Sequence, residues 1–202
     1  MIKPVRRSRA QAARDRAAAT RARIIAAAGP LFVEHGYLDT TVSAIAKAAG
    51  VAVQTLYLSF PGKIAILAAA VGGPGPDAEW LDAVRAERDG RLALAHHVGL
   101  ACTAVAREYP LAAVLRAAAA DPEPAGLLAR SRADALARHA LAVDELADKP
   151  GFTDRVSLQR ATEILAALCS PESYGLLVVE HGWTVPDWQD WVARHAVVDL
   201  FD

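Results

Sequence analysis

Apolar residues recur at helical spacing in the first third of the chain, in short segments that glycine separates. Intervals of three or four place Val42, Ile45 and Ala49 on one face, which predicts a helix over 42–49. Gly50 follows, and glycine tolerates the left-handed backbone that a tight turn between helices requires. We therefore expect one short helix to end at this turn and another to begin after it.

The second short helix takes its apolar face from Val51 and Leu56, which leaves Gln54 and Tyr57 on another side. This is the spacing of a helix-turn-helix, in which the second helix lies in the DNA major groove. Corners of this kind are also common in all-helical proteins. The pattern by itself is equally compatible with a purely structural corner.

The remaining sequence also favours helices. Alanine, the best helix former, is abundant, and no segment shows the alternation that predicts strands and hairpins, so the expected fold is all-α. A first helix is predicted over 20–35, with a kink at Pro30 and an end at Gly36. The glycine- and proline-rich residues 72–76 predict a linker.

These breaks divide the chain into three expected parts. Residues 1–16 are predicted to form a disordered basic arm. Residues 17–62 are predicted to form a three-helix domain that contains the helix-turn-helix. Residues 63–202 are predicted to form a larger helical domain.

Charge is distributed unevenly along the chain. Residues 1–63 hold ten Lys or Arg residues and three acidic residues, a net charge of +7, whereas residues 64–202 carry a net charge of −8. The near-neutral total of −1 conceals this division. A basic head on an acidic body is expected when one end of a protein meets phosphates and the other does not.

The sequence carries no pattern typical of an enzyme, a cofactor site, a metal site or a membrane protein. It has no nucleophile elbow and no HExxH motif. The adjacent His96 and His97 have no His or carboxylate three or four residues away that would complete a metal site. The longest fully apolar run, 64–71, is far shorter than the ~20 residues of a membrane span. Cys102 and Cys169 lack CxxC spacing, which suggests buried free thiols in a cytoplasmic protein.

Several short features follow one another over residues 20–67. They are Ile24, Leu31, Phe32 and Gly36 with Tyr37, then TTV at 40–42, IAKAAGV at 45–51, TLYLSF at 55–60, and Lys63 with Leu67. In this order and spacing they resemble the N-terminal domain of TetR-family transcriptional regulators. Residues 157–183 resemble the body of such regulators more loosely.

The resemblance implies a homodimeric, ligand-responsive regulator of double-stranded DNA, expected to be a repressor. Each subunit would use a three-helix DNA-binding domain and a larger helical domain for ligand binding and dimerisation. The two recognition helices would enter successive major grooves about 34–36 Å apart on a pseudo-palindrome.

The resemblance also assigns DNA-binding roles to particular residues. These are Thr40, Thr41, Gln54, Thr55, Tyr57 and Lys63. Gln54, at the start of the recognition helix, can bond adenine through N6 and N7. Tyr57 matches the family tyrosine that reaches a phosphate, and Lys63 can meet a phosphate at the start of a helix. For the three threonines, capping a helix is the alternative role.

Two residues depart from the family pattern. Ala52 stands where the family often has a serine that caps the recognition helix, a loss of about 1 kcal/mol. Leu58 replaces the usual His or Asn, so we expect one backbone contact to be missing. The operator sequence therefore cannot be taken over from a relative.

The body is expected to hold a small-molecule effector and a dimer interface. The residues expected at the effector site are Trp80, His96, Gly99, Cys102 and Thr103. Apolar walls favour an apolar or aromatic effector, although small residues also allow close helix packing without a pocket. The residues expected at the dimer interface are Leu176, Leu177, Trp188 and Trp191, because large aromatics are enriched at interfaces. Packing of these residues in the core of one subunit is the alternative.

A different function remains open, that of a helical small-molecule binding protein that has lost specific DNA binding. Ala52 and Leu58 favour this alternative slightly, and the basic head argues against it. Salt-dependent affinity for DNA distinguishes the two functions.

Overall fold

The computed structural model describes residues 9–72 and 79–202, and these residues form helices and no β-strand. The all-α prediction is confirmed. The helices are α1 (Arg9–Asp39), α2 (Val42–Ala48), α3 (Val53–Ser59), α4 (Lys63–Val71), α5 (Glu79–Ala86), α6 (Gly90–Ala117), α7 (Pro122–Ala147), α8 (Leu158–Leu168), α9 (Pro171–Tyr174) and α10 (Val185–Leu200). A π-helical segment, Gly175–Glu180, continues α9.

Helix α1 begins at Arg9, well before its predicted start near residue 20. The predicted disordered arm is therefore corrected to a helix over residues 9–16, while residues 1–8 lie outside the described part of the chain. Residues 9–20 contain no glycine or proline and consist mainly of alanine and arginine. Both are strong helix formers, which explains why the helix extends this far.

The backbone of α1 departs from helical geometry at Gly36, where φ is 75° and ψ is 174°. This positive φ is strained for residues with a side chain, so glycine suits the position. Pro30 lies inside the helix and keeps helical backbone angles. The interruption thus falls at the residue that the sequence predicts as the end of the helix.

One hydrophobic core lies among α1 to α4. Its largest fully buried side chains are Ile24, Phe32, Ile45, Leu56, Phe60, Ile66 and Leu67. Leu115 and Ala118 near the end of α6, and Leu127 of α7, join the same core. The predicted domain boundary at residue 62 falls just before α4, whose buried residues belong to this core. The domain limits themselves stay a prediction.

A second core lies among α5 to α10, around the fully buried Trp188. Its other large buried members are Val84, Leu94, Val98, Val143, Leu146, Leu165, Val192 and Leu200. Helix α6 contributes to both cores, with Leu94 in the second and Leu115 in the first. Helix α7 does the same, with Val143 in the second core and Leu127 in the first, so these two helices join the N-terminal helices to the body.

By length and composition, α6 and the stretch from Leu158 to Glu180 are apolar enough to cross a membrane, as is the bent pair of α2 and α3. All of them are packed as helices of the bundle. Helix α6 contacts α1, α4, α5, α7, α9 and α10. It also carries the charged side chains of Arg91, Arg107 and Arg116. We therefore describe them as apolar helices of a bundle fold.

Candidate nucleic-acid interface

The turn between α2 and α3 has the geometry of a helix-turn-helix. Gly50 adopts a φ of 62°, and the amide of Val51 donates to the carbonyl of Ala46 at 3.0 Å. Ala46 is buried, and its small side chain permits the close approach of the two helices. Leu56 of α3 is fully buried against this corner. These contacts fix the position of α3 relative to α2.

The opposite face of α3 points to solvent. Gln54, Tyr57 and Leu58 are exposed, with Leu58 at 90% of its maximal surface. Thr55 is half-buried, and its carbonyl accepts a hydrogen bond from the Ser59 hydroxyl at 3.0 Å. The helix therefore presents a glutamine amide and a phenol to anything that approaches its outer face.

The N-terminus of α3 has no side-chain cap. Ala52 occupies the N-cap position and offers no acceptor to the free backbone N–H groups. The predicted loss of capping at this residue is confirmed. These N–H groups lie at the start of the exposed face, where a phosphate oxygen is the natural acceptor.

Two adjacent threonines before α2 have different roles. The Thr41 hydroxyl accepts from the amide of Ala44 at 3.1 Å and so caps α2. Thr41 is exposed, and its hydroxyl hydrogen remains available to a phosphate. Thr40 is 1% exposed, and its hydroxyl donates towards the carbonyls of Gly36 at 2.7 Å and Leu31 at 3.0 Å. The prediction of Thr40 as a DNA-binding side chain is corrected, because burial removes its hydroxyl from the surface.

Two arginines of α1 hold both ends of the recognition helix. Arg23 donates from Nη2 to the carbonyls of Ala49 at 2.7 Å and Gly50 at 3.1 Å, in the turn before α3. Arg21 donates from Nη1 to the carbonyl of Ser59 at 2.7 Å, at the last residue of α3. Its guanidinium also lies 3.8 Å from the centre of the Phe60 ring. The sequence does not reveal these contacts, because the two arginines show there only as part of the basic charge of residues 1–63.

Lys63 ties the start of α4 to the end of α1. Its ammonium donates to the carbonyls of Tyr37 at 2.5 Å and Leu38 at 3.1 Å, and it lies 4.3 Å from the centre of the Tyr37 ring. Burial lowers the pKa of Lys63, while the charges of Asp39 and Asp121 oppose that shift. An ammonium has three donors, so one remains for a phosphate. Its role in DNA binding stays a prediction.

Three of the predicted effector residues, His96, Gly99 and Thr103, lie on one face of α6, and this face is exposed or half-buried. His96 is exposed, whereas its neighbour His97 is buried, and the assignment of His96 to an effector site stays a prediction. His97 Nε2 lies 2.9 Å from His139 Nδ1 of α7, and the half-buried Trp80 ring lies 5.3 Å from the His97 ring. His139 was missed, since only the packing of α6 on α7 places it there.

Burial controls the protonation of this histidine pair. It lowers the pKa of His97 to about 3, with the charge of His139 adding to the effect. It lowers the pKa of His139 to about 4, with the charge of Arg138 adding to the effect. Both imidazoles are therefore neutral at physiological pH, and one donates to the other.

The predicted effector residues Thr103 and Cys102 differ in exposure. Thr103 is exposed, and its hydroxyl donates to the carbonyl of Gly99 at 2.7 Å. Cys102 is buried on another side of the helix beside Cys169, and both thiols are free. A hydrogen bond with Cys102, together with burial, raises the pKa of Cys169. A cleft of about 700 Å³ lies instead beside α10, where Trp183, Asp187 and Arg194 are among its lining residues.

The predicted dimer residues fall into two groups. Trp188 is fully buried in its own subunit, where its indole N–H donates to the Ser173 hydroxyl at 3.2 Å. Its assignment to the interface is corrected, because it packs edge-on against Tyr174 in the core. Leu176 is exposed, and Leu177 and Trp191 are half-buried. These three remain available to a partner.

Comparisons with known proteins agree with this architecture. Residues 24–70 match the tetR family of bacterial regulatory proteins. No curated protein matches the chain. Among solved structures, the complex of SmeT with triclosan has a TM-score of 0.70 at 20% identity, over 91% of this chain and 92% of that one. SmeT is the repressor of the Stenotrophomonas maltophilia multidrug efflux pump SmeDEF.

Two regulators named FadR have the same fold. FadR from Bacillus subtilis, in complex with stearoyl-CoA, has a TM-score of 0.70 at 22% identity, over 87% of this chain and 97% of that one. The fatty acid degradation regulator FadR from Bacillus halodurans has a TM-score of 0.69 at 22% identity, over 88% of this chain and 94% of that one. At identities of 20% to 22%, this likeness shows the fold alone.

Proposed function

We propose that this chain, a member of the TetR family through its helix-turn-helix region at residues 24–70, binds DNA as a homodimer and represses transcription until a small molecule releases it. The observation that carries the proposal is the position of α3. Leu56 packs in the core on the inner side of this helix, and Arg21 and Arg23 bond to carbonyls at its two ends. Its outer face is exposed to solvent. A rigidly held helix with an exposed polar face is what major-groove reading requires.

The exposed side chains suit distinct parts of a DNA duplex. The Gln54 amide can donate to N7 and accept from N6 of one adenine, which reads sequence. The hydroxyls of Tyr57 and Thr41 suit phosphate oxygens, and Thr55 suits a phosphate or a thymine methyl. Contacts with phosphates set the register, so sequence preference is expected to depend mainly on Gln54.

A second copy of the chain is the proposed partner of the body. Leu176 and Val179 of the π-helical segment and Val198 of α10 are large apolar residues that are exposed on the single chain. Isologous contact through such a surface relates two subunits by a two-fold axis and places their recognition helices on a symmetric operator.

An apolar or aromatic small molecule is the proposed effector. SmeT and the Bacillus subtilis FadR were solved with triclosan and stearoyl-CoA, which supports a ligand with large apolar parts. Helix α6 contributes to both cores, so a ligand that moves α6 also changes the positions of α1 and α4, which pack against it. The loss of DNA affinity cannot exceed the ligand's differential affinity for the two states.

The test is fluorescence anisotropy with DNA from upstream of the chain's own gene and with a scrambled duplex, each at two salt concentrations. Wild type is expected to prefer the upstream duplex. Gln54→Ala is expected to reduce that preference by about 10-fold to 100-fold. Tyr57→Phe is expected to weaken both duplexes to a similar degree. Weak binding that is equal on both duplexes and insensitive to either change would favour a small-molecule binding protein that no longer reads DNA.

A further inference from the structure

Helix α1 extends further than the N-terminal core requires. It has 31 residues, about 46 Å of helix, and its first buried residue is Ile24. The family match also begins at residue 24. Residues 9–20, which we call the α1 extension, form about 18 Å of helix in which no side chain is buried. Packing of the described core does not account for this segment.

The arginines of α1 repeat at intervals of seven residues. Seven residues are nearly two full turns, so residues spaced this way lie on one face. One row contains Arg9, Arg16 and Arg23, and the other contains Arg14 and Arg21. All five are exposed, and Asp15 is the one acidic residue between positions 9 and 23. The α1 extension is therefore a helix with two positively charged rows.

Each row ends in an arginine that is hydrogen-bonded at one end of the recognition helix. The last member of one row, Arg23, is bonded to the turn before α3. The last member of the other row, Arg21, is bonded to the last residue of α3. Arg16 and Arg14 lie about 10 Å further along the same rows. The α1 extension thus starts at the side of the helix proposed to enter the major groove.

The other end of α1 faces the body. Burial raises the pKa of Tyr37, and the charges of Glu123 and Asp121 at the start of α7 raise it further. These two carboxylates therefore lie near Tyr37. Asp121 and Glu123 of the body thus lie near the C-terminal end of α1, and the α1 extension is at the opposite end. A cationic helix that begins beside a recognition helix, at the end of α1 opposite to Asp121 and Glu123, has DNA phosphates as its natural partner.

We propose that the α1 extension is a second DNA-binding surface, in which Arg9, Arg14 and Arg16 bind backbone phosphates that flank each half-site. This inference rests on the proposed function. The surface adds affinity and no sequence preference, since phosphate contacts carry no sequence information. It differs from the recognition helix in this respect.

The experiment compares wild type with Arg14→Ala/Arg16→Ala in the full-length protein. Alanine preserves helix propensity, and both positions are exposed, so the fold should be retained. Arg107→Ala/Arg138→Ala is the matched control, because it removes the same charge from exposed positions on α6 and α7. Equal midpoints of urea unfolding would show that all three proteins are folded alike.

Binding is measured against salt on three duplexes. One carries the preferred upstream sequence and ends at the outer edges of the half-sites, and one extends it by about 10 base pairs on each side. The third is a long duplex of random sequence. The slope of log K against log salt counts phosphate contacts, at about 0.9 per contact. Loss of two arginines in each subunit is expected to reduce the slope by up to about 3.6 on the extended duplex.

We expect the slope to fall on the two longer duplexes and to change little on the short one. The ratio of the affinities for the extended and the random duplex should stay unaltered. Slopes on the longer duplexes that equal those of wild type and of the control would overturn the inference. The random duplex keeps the two proposals separate. If wild type lacks sequence preference yet the variant lowers the slope there, the proposed function fails and the α1 extension still binds phosphates.

Discussion

The N-terminal core and the body core use polar groups in different ways. Around α2 and α3, charged side chains reach across to backbone carbonyls: Arg21 to Ser59, Arg23 to Ala49, and Lys63 to Tyr37. In the body, Lys149 likewise donates to the carbonyl of Glu87, but two buried side chains, His97 and His139, also bond to each other as neutral groups. The first kind of contact holds helix ends, whereas the histidine pair joins α6 to α7 within the length of both helices.

Helix length explains this difference. Helices α2 and α3 have seven residues each, too few to be stable alone, so their ends must be held from outside. Helices α6 and α7 have 28 and 26 residues and are held by packing along their length. The N-terminal helices therefore have fixed positions, which suits reading of DNA. The body depends on side-chain packing, which a bound ligand can alter.

The largest expected effect is on packing in the body. Trp188→Ala removes a fully buried indole and leaves a cavity, so the free energy of unfolding should fall by about 3–5 kcal/mol in urea titrations. Trp183→Ala is the control, since Trp183 is 37% exposed, and it should cost about 1 kcal/mol or less. Similar losses for the two variants would show that Trp188 is not the centre of this core.

The next effect is the pH dependence of the body. The pKa values of His97 and His139 in the folded chain, about 3 and about 4, lie below the value of about 6.5 expected for unfolded histidine. The unfolded chain therefore takes up protons first as pH falls. Stability should decrease by about 2–4 kcal/mol between pH 7.5 and pH 5, as measured by urea unfolding.

The double variant His97→Gln/His139→Gln provides the control for that measurement. Its glutamines can hydrogen-bond but do not titrate, and the other four histidines are exposed. Its stability should change much less over the same pH range. An equally steep decrease in the double variant would assign the pH dependence to other groups.

The smallest expected effect is at the cap of the recognition helix. Ala52→Ser supplies the hydrogen-bond acceptor that the N-cap of α3 lacks. The free energy of unfolding should therefore rise by about 1 kcal/mol. Thr41→Ala removes the cap of α2 and should cost about 1 kcal/mol of stability. Opposite shifts of the urea midpoint would confirm that both short helices depend on their ends. No gain in Ala52→Ser would mean that the serine hydroxyl does not reach the free N–H groups.

The sequence predicted the helix-turn-helix well because several independent signals agree there. Periodicity marks Ile45 and Leu56, and glycine marks the turn, which the structure places at a positive φ. The match over residues 24–70 then confirmed the family resemblance. Local signals of this kind survive in a single sequence, because each comes from a backbone or packing need within a few residues.

The incorrect predictions concern orientation. The prediction places Thr40 on the surface together with Thr41, and Trp188 at a dimer interface, although both Thr40 and Trp188 are buried. Long helices rich in alanine have small residues on every side, so periodicity marks their buried face poorly. Which neighbour is buried depends on the helix packed against it, as His139 of α7 shows for His97. A single sequence does not contain that information.

The most direct test of the account is the selection of DNA duplexes from a random pool by wild type and by Gln54→Ala. We expect wild type to enrich a two-fold-symmetric sequence with half-sites about 10 base pairs apart. Gln54→Ala should enrich the same spacing with one position in each half-site relaxed. No enrichment by wild type, or an identical sequence enriched by the variant, would contradict the claim that α3 reads DNA through Gln54.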